Sequence, residues 1–261
     1  MKPTSNFARN VRNYLNIKPS VYLKPESPEA PISDFIPWIN VNNFETKFII
    51  TNLATYLFPS DKMEDEVLLL VYDNAGNKIV EKKYLLEFNK TFEVNFSDFN
   101  INGFGSFFIF HKLKSFAKLI EKSSHIADRG YVGFRRNKGL WSFVHGNNYA
   151  ASLEKNNKIK SLMGKKIFNS TFIPQVSFDD VKEFQIIVSN PTEKDLNLTH
   201  KCYNNDKELI LNTNDIIKPF GTIKTLFDNP EIETVTLTSK LLFCRPVIYK
   251  EYKTYFDIFH S

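Results

Sequence analysis

Along most of the chain, apolar residues either alternate with polar ones or gather in short continuous runs, the two patterns that β-strands leave in a sequence. Phe92, Val94 and Phe96 alternate with Glu93 and Asn95, as expected of an antiparallel strand that buries one face. In the first half the pattern predicts strands over residues 47–52, 67–72, 78–86, 92–96, 106–111, 130–135 and 140–145. In the second half it predicts them over 183–189, 196–203, 207–211, 222–227, 234–240, 242–248 and 255–260. Asp73-Asn74-Ala75-Gly76 separates two such runs with residues that tolerate positive φ, which reads as a hairpin loop. The rhythm breaks at residues 112–122. There Leu113, Phe116 and Ile120 share one helical face and Lys112, Lys114, Lys118 and Lys122 take the others, a short basic amphipathic helix. Residues 7–17 give a second short helix.

The two halves resemble each other. Phe35-Ile36-Pro37-Trp38 recurs as Phe172-Ile173-Pro174-Gln175, and the strand ending at Asn52 is answered by the one ending at Asn190. Tyr72-Asp73-Asn74 is matched by Tyr203-Asn204-Asn205, each followed by a Thr (Thr91, Thr222) and a Phe (Phe96, Phe227). Arg135 then corresponds to Arg245, and a closing His145 to His260. Matches kept in one order imply an internal duplication. The expected fold class is therefore all-β, with two tandem antiparallel β-sandwich domains, immunoglobulin-like or jelly-roll-like, and one or two short helices. The expected boundaries are an N-terminal arm over 1–34, the two copies over 35–149 and 172–261, and a basic linker over 150–171. The arm contains Pro25, Pro28 and Pro31, which exclude helix interior and central strand.

Composition narrows the function classes. With 42% hydrophobic and 24% charged residues, the 261-residue chain is long and apolar enough for a packed core. Its 25 Phe and 11 Tyr suit pleated, half-buried surfaces. The net charge of +5 is spread by interspersed Lys and Glu, not gathered in a stripe with stacking aromatics, so no nucleic-acid signal is read. No apolar run reaches bilayer length. Only Cys202 and Cys244 are present, too few for a disulfide framework. With no leader-like apolar segment, the expectation is a cytoplasmic protein without cofactor.

The candidate site residues cluster at strand ends. Trp141-Ser142-Phe143-Val144-His145-Gly146-Asn147 places Trp141 and His145 on one face with Asn147 beyond, the residue types that stack on a pyranose and take its hydroxyls. The second half offers Asp257 and His260 in the matching stretch. Arg135 and Arg245 supply guanidinium groups that suit carboxylate or phosphate. Gly130 and Gly133 leave room for a close-approaching ligand. No HxH, HxxxH or HExxH spacing supports a metal, and no nucleophile elbow, phosphate loop or dinucleotide fingerprint is found. The leading expectation is a non-catalytic binding or assembly protein. Its partner would be a glycan or a protein, bound at the strand-end loops through Arg135, Trp141, His145, Asn147, Arg245, Asp257 and His260. One alternative is an enzyme acting on a saccharide or nucleotide-sugar, with His125, Asp128, Arg135 and His145 in one cleft. Another is a structural subunit of a larger assembly, with edge strands pairing between chains.

Overall fold

A computed structural model describes residues 25–27, 30–41, 43–52, 55, 59–60, 62–112, 130–163, 165–174, 181–241 and 245–260, with 147–149 and 165–167 as backbone. The first eight strands are β1 (Ile32–Asn40), β2 (Phe44–Thr51), β3 (Asp65–Asp73), β4 (Lys78–Leu86), β5 (Thr91–Asn95), β6 (Gly103–His111), β7 (Tyr131–Arg136) and β8 (Ser142–His145). Three follow in the stretch expected as a linker: β9 (Asn147–Leu153), β10 (Ile159–Ser161) and β11 (Lys165–Phe172). The rest are β12 (Glu183–Ser189), β13 (Leu196–Tyr203), β14 (Leu209–Ile217), β15 (Thr222–Phe227), β16 (Thr234–Leu241), β17 (Val247–Glu251) and β18 (Phe256–His260). Apart from Lys112, which follows β6, both predicted helices fall outside the described residues.

These strands form four antiparallel sheets. One runs β10-β9-β1-β6-β3-β4, and the others run β5-β2-β7-β8, β11-β16-β13-β14 and β15-β12-β17-β18. Among the described residues the sheets stand as the four blades of a β-propeller, without a closed barrel or a helical bundle. The blades are built from strands that are not consecutive in sequence.

This corrects the expected pair of tandem sandwiches. In that arrangement each core would be closed by the two sheets of one half. Instead, each of the two large apolar clusters draws on both halves. One joins Phe35, Leu68 and Phe108 to Leu198, Leu237 and Ile248. The other joins Trp38, Phe48 and Phe107 to Ile187, Tyr249 and Ile258. Alternation within a strand reports that a face is covered but not which sheet covers it, so the pattern could not distinguish the two arrangements.

β3 shows how the widest sheet is used. Val67, Leu69 and Val71 enter one cluster and Leu68, Leu70 and Tyr72 the other. A strand covered on both faces reads as a continuous apolar run, which is what Val67–Tyr72 is. β2 has one covered face, with Phe44, Thr46, Phe48 and Ile50 buried and the intervening residues partly exposed. The halves also meet through backbone. The Thr222 N–H donates to the Asn74 carbonyl (3.0 Å) and the Ser106 hydroxyl to the Phe220 carbonyl (2.7 Å). Gly76 sits in this contact at φ +86°, and a Cβ there would lie 2.0 Å from the Pro219 carbonyl oxygen. Only glycine satisfies both the dihedral and the approach.

A buried histidine makes stability depend on pH. His200, fully buried on β13, has Nδ1 3.3 Å from Asp215 Oδ2. Burial lowers its pKa, and Asp215 opposes the shift without cancelling it. The group is thus harder to protonate folded than unfolded. Its contribution is complete above the ordinary histidine value near 6.5 and is lost as pH falls below it, down to the folded pKa. Counting equally from the turns at Asp73 and Asn204, Leu69 holds the matching place on β3. Thermal melts are expected to show stability falling between about pH 7 and pH 5, with the slope reduced in His200→Leu. An unchanged slope in that variant would remove His200 as the cause.

Candidate functional site

The turns of two hairpins face each other across a cleft of ≈ 720 Å³, β7–β8 on one side and β17–β18 on the other. It arises because β8 and β18, each the edge of its own sheet, lie side by side. No ladder joins them; single side chains do. The Ser142 hydroxyl reaches the Ile258 carbonyl at 3.5 Å, and His145 meets His260.

The floor of the cleft is a polar triad spanning the two sheets. Arg136, the last residue of β7, pairs with Glu251 at the end of β17. Its Nη1 also donates to the Tyr249 hydroxyl (3.0 Å), which donates to Glu251 Oε2 (3.2 Å). Lys182 Nζ lies 3.7 Å from the other Glu251 oxygen. Burial raises the Tyr249 pKa and the Arg136 charge opposes it, so the phenol stays a hydrogen-bonding hydroxyl. The walls are aromatic. Tyr252 and Tyr255 stack with centroids 4.5 Å apart, Phe256 and Trp141 continue the lining, and Tyr255 (61%) and Leu140 (89%) stand exposed at the mouth.

The sequence-predicted residues fall in several places. Trp141 lines the cleft, but Lys47 Nζ lies 4.4 Å and the Arg135 guanidinium carbon 4.7 Å from its ring centroid. The indole is thus already engaged by two cations. Arg135 binds Glu45 through Nε (3.0 Å) and Nη2 (2.5 Å), and it is the next residue, Arg136, that enters the cleft. Ladder registers revise the arginine match: Arg135 opposes Glu45 on β2 and Glu251 opposes Glu183 on β12, so Glu251 holds the place of Arg135. The same registers set His145 opposite Tyr131 and His260 opposite Val247, and the structure brings the two histidines together, Nε2 to Nε2, at 2.7 Å. Arg245 lies beside this pair, at the far end of β8 and β18 from the cleft. Asp257 is exposed opposite Lys250. The side chain of Asn147, and all of His125 and Asp128, lie outside the described residues.

The space read at the two glycines is filled from within. A Cβ at Gly130 would meet the Phe48 ring at 1.9 Å, and one at Gly133 the Phe143 ring at 2.6 Å. Missed from the sequence were Arg136, Tyr249, Glu251, Tyr252 and Tyr255. Tyr252, Lys253, Thr254 and Tyr255 form a polar-aromatic turn between two strands, and its likeness in composition to the Trp141 turn was the available signal. Among the described residues, no group of three or more His, Cys, Asp or Glu side chains is placed to hold a metal ion, and no helix is long and apolar enough to cross a membrane.

No family model matches the sequence, and no curated protein matches it. Among solved structures, a glycosyl hydrolase family 2 member from Bacteroides cellulosilyticus DSM 14838 aligns over 93% of this chain and 30% of its own, at 11% identity and TM-score 0.15. A β-glucuronidase from Bacteroides uniformis aligns over 87% of this chain and 25% of its own, at 11% identity and TM-score 0.16. The chain thus spans less than a third of the length of these proteins. Likeness this slight establishes neither a common fold nor a common activity.

Proposed function

We propose that the protein is an enzyme acting on a saccharide held in the cleft between the β7–β8 and β17–β18 turns. The observation that carries this reading is the joining of aromatic walls, Tyr252, Tyr255, Phe256 and Trp141, to a hydrogen-bonded Arg136–Tyr249–Glu251 floor. Aromatic rings accept the C–H face of a sugar, while a few fixed polar groups orient its hydroxyls. The expectation of a non-catalytic module on a duplicated sandwich falls with that scaffold, and the histidine-centred cleft of the enzymatic alternative is replaced by one centred on Glu251. Glu251 is the carboxylate of the lining. Cleavage of a glycosidic bond ordinarily engages two carboxyl groups. One carboxylate suits proton removal from a bound sugar hydroxyl, whose oxygen attacks the anomeric carbon of a nucleotide-sugar as that carbon's bond to phosphate breaks and the nucleoside diphosphate leaves. Glu251 takes the proton, Arg136 fixes the carboxylate, and the tyrosines hold the ring.

The test is an assay of the purified chain on a panel of oligosaccharides, with and without nucleotide-sugars, read by mass spectrometry. Turnover is expected with one class of sugar, reduced on the order of 100-fold in Glu251→Gln. In Tyr255→Ala the expected change is mainly a raised KM. Absence of turnover across the panel, or wild-type rates in Glu251→Gln, would refute the reading.

A further inference from the structure

We propose that the His145–His260 contact is a proton-operated joint, which clamps the two walls of the cleft together and releases them when both rings are protonated. For its consequence this rests on the cleft being the working site; the joint itself can be tested without any saccharide.

The protonation pattern follows from geometry. His145 Nδ1 lies 3.1 Å from the Gly146 carbonyl oxygen. A carbonyl only accepts, so Nδ1 carries the hydrogen and Nε2 of neutral His145 is left as an acceptor. His260 Nε2 must then be the donor across the 2.7 Å gap. One added proton preserves the contact, because an imidazolium donates to the remaining imidazole. A second proton does not. Two N–H groups then face each other, both rings are charged, and no acceptor lies between them. The contact therefore survives the first proton and breaks with the second.

The surroundings resist that second proton. The void beside the pair is lined by Phe35 and Pro37 from β1, Ile187 and Ser189 from β12, Val247 from β17, and Arg245. Tyr131 on β7 is the ladder partner of His145. Arg245 is the charged group among the described residues that line this void. Burial first, then His145, then Arg245 hold His260 below the ordinary histidine range. When the second proton does bind, two cationic rings face each other N–H to N–H at half-buried positions, and parting β8 from β18 is what relieves them.

Parting these strands reaches the cleft because β8 and β18 are its two walls. Trp141 and Ser142 stand at the start of β8 and Phe256 at the start of β18, in the lining. The histidines end the same two strands. No ladder joins β8 to β18, so each side-chain contact carries much of the adhesion. Loss of the histidine pair leaves the Ser142 contact and the Arg136–Glu251 pair.

The test follows the imidazole nitrogens of both residues by NMR, together with tryptophan emission, from about pH 8 to about pH 5 and below. Trp141→Phe identifies the Trp141 component against the buried Trp38. Two coupled histidine steps are expected, with the Trp141 change tracking the second. In His260→Gln, whose amide can still donate to His145 Nε2, that emission change should vanish while the cooperative melt near pH 7.5 is retained. Two independent histidine titrations in the wild type, or a Trp141 change unaltered by His260→Gln, would overturn the proposal. The wild-type spectra decide even if the variant folds poorly. Loss of turnover with an intact joint would instead indict only the saccharide reading.

Discussion

Replacing Asn190 with alanine is expected to cost roughly 3–5 kcal/mol of stability and to lower the melting temperature by about 10 °C. The fully buried Asn190 directly follows β12, and its Nδ2 donates to the carbonyls of Lys194 (2.9 Å), Ile217 (3.0 Å) and Lys218 (3.0 Å). Its Oδ1 accepts from the Thr192 backbone N–H (3.0 Å) and hydroxyl (2.7 Å). One side chain thus ties the end of β12 to the end of β14 and to the loop between β12 and β13. Alanine leaves several buried polar groups without a partner, and each costs more than a hydrogen bond gains. Asn52 repeats the arrangement just after β2, donating to the carbonyls of Met63, Leu86 and Glu87 and accepting from the Thr55 N–H. Asn52→Ala should therefore match Asn190→Ala in size. Chemical denaturation measures both. Losses below about 1 kcal/mol would show that water replaces the amide freely.

The second large effect is at Arg136. Arg136→Ala is expected to destabilise by roughly 2–4 kcal/mol and to remove activity, because it leaves a largely buried carboxylate without its main counter-charge. Side-chain exposures of 24% for Arg136 and 17% for Glu251 place the pair between a surface salt bridge and a fully buried one. Lys182, the other cation near Glu251, is 72% exposed and 3.7 Å away, a poor substitute. The control is the double variant Arg136→Ala/Glu251→Ala. With both charges gone, the combined loss should be smaller than the sum of the single losses. Arg136→Lys should rescue part of the loss, since Tyr249 and Glu251 are both met by the one nitrogen Nη1, a place that an ammonium with three donors can take. Additive losses would mean that the two side chains act independently.

Several strands were legible to the residue. Lys78–Leu86, Glu183–Ser189, Leu196–Tyr203 and Thr222–Phe227 lie where period and turn chemistry place them. Their ends are marked by short polar residues, as at Asp73, whose Oδ1 accepts the Asn77 N–H at 2.8 Å. β1 was missed because Pro37 interrupts it and its residues are buried on both faces, leaving no alternation to read. β9 and β11 were hidden by their lysines and asparagines, which sit in strands here because neighbouring strands supply the ladder. The blade arrangement was not legible, because no residue records which sheet covers its face.

For the site, the correspondence of His145 with His260 was readable in the sequence; their contact was not, since it requires two sheet edges to meet. Pairing Arg135 with Arg245 followed residue type where ladder register, visible only in the fold, matches Arg135 with Glu251. Trp141 stands out in the sequence because aromatic and polar residues crowd the stretch from Trp141 to Tyr149. The turn from Tyr252 to Tyr255 is shorter and carries no such crowd.

The most direct test of the central claim is a crystal structure of the chain soaked with whichever oligosaccharide the panel identifies. The account predicts a sugar ring against Tyr252 and Tyr255, with a hydroxyl within hydrogen-bonding distance of Glu251. A sugar bound elsewhere, with this cleft empty at saturating concentration, would contradict it.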